Sequence, residues 1–96
     1  MFGGMAICTV RPGQMGALVA AALDHASALK RQPGYRASYV LSERDGPTQV
    51  SLSLFDSPEN FHRAVESTRA VIAGHHIERL LDGPPTFRLF DVREPP

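Results

Sequence analysis

Residues 35–58, YRASYVLSERDGPTQVSLSLFDSP, decide the fold of this chain. YRASYVLS (35–42) carries Tyr, Val and Leu with no breaker, and QVSLSLF (49–55) returns with the same strand character. Between them ERDGPT (43–48) is a hairpin loop built on Asp45-Gly46, a pair that tolerates the backbone angles a tight reversal requires. The returning strand ends in Asp56-Ser57-Pro58-Glu59, which is a helix start. Ser57 is the N-cap, Pro58 the first helical residue, and Glu59 sits near the positive end of the helix dipole. One feature is odd: QVSLSLF alternates leucine with serine, so half of a central strand is spent on short hydroxyls.

Working outward, MAICTV (5–10) is a short apolar strand stopped by the turn Arg11-Pro12-Gly13. From Gln14 to Lys30 the period changes, with Met15, Leu18, Val19, Ala22, Ala26 and Leu29 recurring at helical steps. Pro33-Gly34 ends that helix, and Lys30 and Arg31 suit its negative end. The second helix carries Phe61, Val65, Thr68 and Ile72 on one side, bends near Gly74, and continues through IERLL to Asp82-Gly83-Pro84-Pro85. TFRLFDV (86–92) is a last strand and REPP a tail. The order βαββαβ with right-handed crossovers predicts an α+β, ferredoxin-like domain. Its four-stranded antiparallel sheet has the first and third strands central and both helices on one face. A single domain spans 1–96, with its core over about 5–93 and a tail at 94–96.

The totals fit one modest core: 96 residues, 43% hydrophobic. Ten basic residues balance ten acidic ones, so charge supplies no pull towards nucleic acid or an anionic membrane. The single cysteine, Cys8, lies in an apolar run and reads as a small buried hydrophobe. MFGGMAICTVRPG lacks the basic leader and sustained apolar region of a signal peptide, and no run is long enough for a membrane helix. The expectation is a cytoplasmic protein.

Two helices cover one side of a sheet, and the other side should alternate with polar residues if it met water. It does not. Apolar residues stand on both parities of strands two, three and four. This predicts a homodimer in which a second copy buries the uncovered face.

PGYRASYVLSERDGPTQVSLSLFDSPENFHRA (33–64) resembles the antibiotic biosynthesis monooxygenase family of dimeric α+β barrels, and the likeness runs from Val10 to Val92. The carrying features are the Pro-Gly-aromatic start of strand two, the hairpin, and an aromatic-acidic-Ser element capping the next helix. The resemblance implies two facing sheets in a shared barrel, with a ligand cleft between sheet and helices in each subunit. It also places Phe55, and hence Ser51 and Ser53, towards that cleft. Short hydroxyls there either leave room and polar handles for a ligand or merely fit beneath bulky helix residues such as Phe61 or Met15.

Of the histidines, His75 falls on the stripe of the second helix if that helix runs past Gly74, and His62 lies near the stripe's edge. An imidazole in the cleft can take a proton from an acidic phenol or enol. His75 is the candidate catalytic base, and Ser51, Ser53, Phe55, Tyr39 and His62 are the candidate substrate-binding residues. The competing reading is ordinary packing. His75-His76 is a poor metal pair on a helix, and no carboxylate completes a set, so no metal is expected.

The resemblance implies a monooxygenase that works without cofactor, oxidising a small aromatic or quinol-like molecule with O₂. Two departures bear on this: Phe55 stands where such enzymes have tryptophan, and Ser51 where they have asparagine. Haem-degrading relatives are matched less well, since Ala6 and Ala64 occupy two of their three key places; weak haem binding through His75 or His76 stays open. A non-catalytic binding dimer, or an isomerase or detoxifying enzyme on the same scaffold, are the other readings.

Overall fold

In the computed structural model, which describes residues 1–96, the elements are β1 (Phe2–Thr9), α1 (Met15–Leu29), β2 (Tyr35–Ser42), β3 (Thr48–Phe55), α2 (Pro58–Ala73) and β4 (Thr86–Asp91). A short 3-10 turn, Ile77–Leu80, precedes β4. The sheet order is β2-β3-β1-β4 and every pairing is antiparallel, so β1 and β3 are central as expected. α1 packs over β2 and β3 and α2 over β1 and β3, both on one face; the fold is ferredoxin-like.

The local signals act as read. Asp45 turns the β2–β3 hairpin with φ of 60°. Ser57 Oγ accepts from the Asn60 amide at 3.2 Å, capping α2 behind Pro58. Beside it the Asn60 side-chain amide donates to Asp56 at 2.8 Å and holds that carboxyl below its ordinary pKa.

Two boundaries differ from the sequence reading. β1 begins at Phe2, so Gly3-Gly4 belong to the strand rather than preceding it. The reason is steric: a Cβ on Gly4 would lie 2.5 Å from Phe61 Cε2, well inside carbon–carbon contact, so the strand can pass beneath that ring only as glycine. α2 stops at Ala73, and Gly74 caps it. His76 takes the left-handed conformation (φ 50°) before the 3-10 turn, so His75 and His76 are not helical.

The pairing registers assign the faces, since residues directly opposite one another share one. Ser38, Ser53, Gly4 and Leu89 form one row towards the helices; Val40, Ser51, Ala6 and Phe87 form the next. Tyr39, Leu52 and Met5, with Leu41, Val50 and Ile7, occupy the opposite, bare face.

The core beneath the helices is split. Cys8, Val10, Leu18, Leu80 and Leu81 form a cluster at one end. Leu29, Phe55, Phe61 and Ala64 form another at the other. Between them the floor is Gly4, Ala6, Ser51 and Ser53, none of which has a side chain long enough to reach the helices.

Candidate functional site

The gap between the two core clusters is a cleft. It has two adjoining compartments of about 280 and about 290 Å³, which share Ala6, His25, Ser51, Val65 and Phe87. The first is bounded by Gly4, Ser53, Leu29, Phe61, His62 and Leu89, the second by Cys8, Gln49, Leu18, Ile72 and Ile77. This is the size and mainly apolar character of a small-molecule site, typically about 300–1,000 Å³ with a few placed polar groups. On β4 the cleft-lining Phe87 is 73% and Leu89 56% exposed, so the cleft opens along that strand.

The polar groups in it are few. Gln49, almost fully buried, donates from its side-chain amide to Ser51 Oγ at 3.2 Å. The Ser38 hydroxyl is buried without a protein partner, beside a void of about 20 Å³ bordered by His25, Ser51 and Ser53. Cys8 also lines the second compartment; burial raises its thiol pKa, which keeps it protonated and inert, as the sequence implied.

His25 is the histidine common to both compartments. It stands on α1 and its Nε2 lies 2.8 Å from Thr68 Oγ1 on α2. Thr68 Oγ1 also lies 2.9 Å from the Ala64 carbonyl, and with its one proton donated there it accepts from the ring. That arrangement assigns neutral His25 as the Nε2–H tautomer, with the lone pair on Nδ1, which has no protein partner. Burial lowers its pKa below the ordinary 6.5, partly opposed by the charge of Asp24.

The structure sorts the residues expected from sequence. Ser51 and Ser53 form the cleft floor, and His62 borders the first compartment with its ring 5.3 Å from that of Phe61. Phe55 does face the helices, but it is completely buried against Tyr35 and Phe61 and reaches neither compartment; it is core. Tyr39 is corrected outright: it pairs with Leu52, so its ring stands on the bare face and is 56% exposed. His75 borders neither compartment. Because α2 ends before it, its Nε2 meets Asp24 Oδ2 on α1 at 2.7 Å, an exposed tie between the helices.

His25 escaped the sequence reading because α1 is rich in alanine. Its buried stripe runs through Leu18, Ala21, Ala28 and Leu29 rather than through Val19 and Ala26. The signal was present: Leu18, Ala22, His25 and Leu29 are spaced four, three and four apart. No group of three or more His, Cys, Asp and Glu side chains converges in the way a metal ion requires.

A four-stranded antiparallel sheet with two helices on one face and a cavity beneath them defines the class: a small ferredoxin-like α+β domain. Within that class the chain belongs to the antibiotic biosynthesis monooxygenase family, whose model matches residues 1–91. Solved structures agree in fold. Rv0793 from Mycobacterium tuberculosis superimposes with a TM-score of 0.81 at 17% identity, covering 98% of this chain and 96% of its own. A variant of SnoaB, a cofactor-independent oxygenase from Streptomyces nogalater, gives 0.80 at 20% identity, covering 98% and 94%. A conserved protein from Methanosarcina mazei gives 0.82 at 12% identity, covering 96% and 92%. No curated protein matches the chain in sequence.

Proposed function

We propose that this protein is a cofactor-independent monooxygenase that oxidises a small hydroxylated aromatic molecule in the cleft between sheet and helices. The observation that carries the reading is the interrupted core: an apolar cavity with a hydroxyl floor, Ser51 and Ser53, opening along β4. Family membership and the SnoaB-like fold support the same chemistry.

In this reading the bound phenol or enol loses its proton, and the electron-rich anion reduces O₂ directly. One oxygen atom enters the ring or benzylic carbon as a quinone-type carbonyl and the other leaves as water, so the four electrons removed from the substrate match those taken up by O₂. The protein's part is to exclude water with Leu29, Phe61, Val65 and Phe87 and to donate hydrogen bonds to the anion from Ser51 and Ser53. His62 closes the outer end of the first compartment.

The functional unit in this proposal is a homodimer joined through the bare sheet face. Only 15 of the 96 residues are buried in the single chain, and Tyr39, Leu41 and Phe90 on that face stay exposed. A patch of that kind calls for a partner, and a second copy offers the same apolar surface. Among the helices, none is long and apolar enough to cross a membrane.

The test is oxygen consumption by purified protein, free of added metal and flavin, on a panel of anthrones and naphthols. The expected result is one O₂ consumed per quinone formed, with one oxygen atom of labelled O₂ in the product and no hydrogen peroxide released. Binding of these compounds without oxygen uptake overturns the oxygenase reading and leaves a ligand-binding module.

A further inference from the structure

We infer that His25, held by Thr68, is the residue that accepts the substrate's proton in this cleft. The inference rests on the oxygenase reading for its reaction, and on geometry for its residue.

Three observations single out His25 among the four histidines. It is the only one bordering both compartments, where a ligand anywhere in the cleft comes beside it. Its ring is tied at one nitrogen: Nε2 meets Thr68, itself 2% exposed, and with the Thr68 proton on Ala64 it is Nε2 that carries the hydrogen, which leaves Nδ1, without a protein partner, as the acceptor. The ring is also locked across the gap between α1 and α2, so its orientation does not have to be won when the ligand binds. His75, by contrast, is engaged outside the cleft by Asp24, and His76 is exposed.

The step is a simple transfer. The substrate O–H bond breaks, an N–H bond forms at Nδ1, and the electron pair stays on the substrate oxygen. The products are an imidazolium and a phenolate or enolate lying side by side. Nε2–H remains on Thr68 throughout, so the ring does not turn during the transfer. Burial keeps His25 neutral and receptive at neutral pH. The charged and titratable neighbours are few: Asp24 on its own helix favours the imidazolium, and Arg69, which borders the second compartment, is paired with Glu66. Cys8 on β1 stays protonated, and His62 on α2 and Arg88 on β4 border only the first compartment. β2 and β3 present only serines, Val40 and Gln49.

The experiment uses 4-nitrophenol, whose anion absorbs visible light, added to the intact protein across about pH 5–8. Wild type is expected to bind it and raise the anion band at pH values where the free probe is mostly protonated. His25→Gln should still bind it, measured calorimetrically, but lose that extra band at least about tenfold. With a phenolic substrate its oxygen uptake should fall about 100- to 10,000-fold. Thr68→Val should give a partial loss and Thr68→Ser should restore it, which decides the matter should His25→Gln fail to fold. His75→Gln should match wild type.

An anion band retained in His25→Gln, no band in wild type, or no binding of the probe each overturns the assignment. The two proposals fail separately. Undiminished oxygen uptake in His25→Gln removes His25 and keeps the oxygenase. A wild type that ionises the probe through His25 but never consumes oxygen does the reverse.

Discussion

Gly4→Ala is the sharpest test of how the cleft is built. The new methyl carbon would stand 2.5 Å from Phe61 Cε2 and 3.2 Å from Cε1, against about 3.5–4.0 Å for carbons in contact. The ring must therefore retreat by at least about 1 Å. It has little freedom to do so, since it is 9% exposed and packs edge-on against Phe2 and Phe55 with centroids 5.3 and 5.9 Å away. Overpacking of this kind costs about 1–3 kcal/mol. Replacing glycine by alanine in a strand returns about 0.5–1 kcal/mol of backbone entropy, so the net loss falls within about 0–2.5 kcal/mol, centred on about 1 kcal/mol. Each kcal/mol lost lowers Tm by about 4–8 °C for a domain of this size. Urea and thermal melts at fixed protomer concentration measure it. Phe61→Leu alone should also destabilise, but the double variant should be no worse than Phe61→Leu, because the smaller side chain makes room for the methyl group. A Gly4→Ala protein more stable than wild type by about the entropic 0.5–1 kcal/mol, or a double variant whose loss equals the sum of the two, refutes the account.

Filling the floor with Ser53→Leu should abolish ligand binding while leaving the melting temperature unchanged or higher, read by calorimetry beside a thermal melt. His75→Ala removes only an exposed pair and should cost less than about 1 kcal/mol in a urea melt, with oxygen uptake unaltered. Leu52→Lys on the bare sheet face should convert the dimer to monomer in light scattering; a wild type already monomeric at micromolar concentration refutes the dimer. His25 also sets a pH dependence. Its folded pKa is depressed below the unfolded value near 6.5, so below about pH 6.5 the unfolded chain binds more protons. Stability should therefore fall as pH drops from about 6.5 towards the folded pKa, and His25→Gln should flatten that slope in urea melts taken at stepped pH.

Much of the architecture was legible because its signals are local. Asp45-Gly46 states a hairpin, and Ser57-Pro58-Glu59 states a helix start, whatever lies around them. The end of α2 was less so: Gly74 was read as a bend, whereas the left-handed turn at His76 ends the helical register and carries His75 away to Asp24. The strand character of Gly3-Gly4 was hidden for the opposite reason, since it depends on a ring 57 positions away at Phe61. The cleft floor at Ser51 and Ser53 was visible as an alternation, but its parity needed the pairing register. Tyr39 shows the cost of lacking it: one place along β2 separates the cleft from the bare face. His25 was obscured by alanines, which give a helix little hydrophobic contrast from one side to the other.

The exposure of β4 along its whole length has a consequence for motion. That strand is held by its pairing with β1 and by a latch at its far end, where Met1 and Val92 exchange backbone bonds. Amide exchange should find it the least protected strand of the sheet, because it can swing aside without disturbing either cluster of buried side chains. For the oxygenase proposed above, a yielding outer strand would be the way by which a small molecule enters and leaves the cleft.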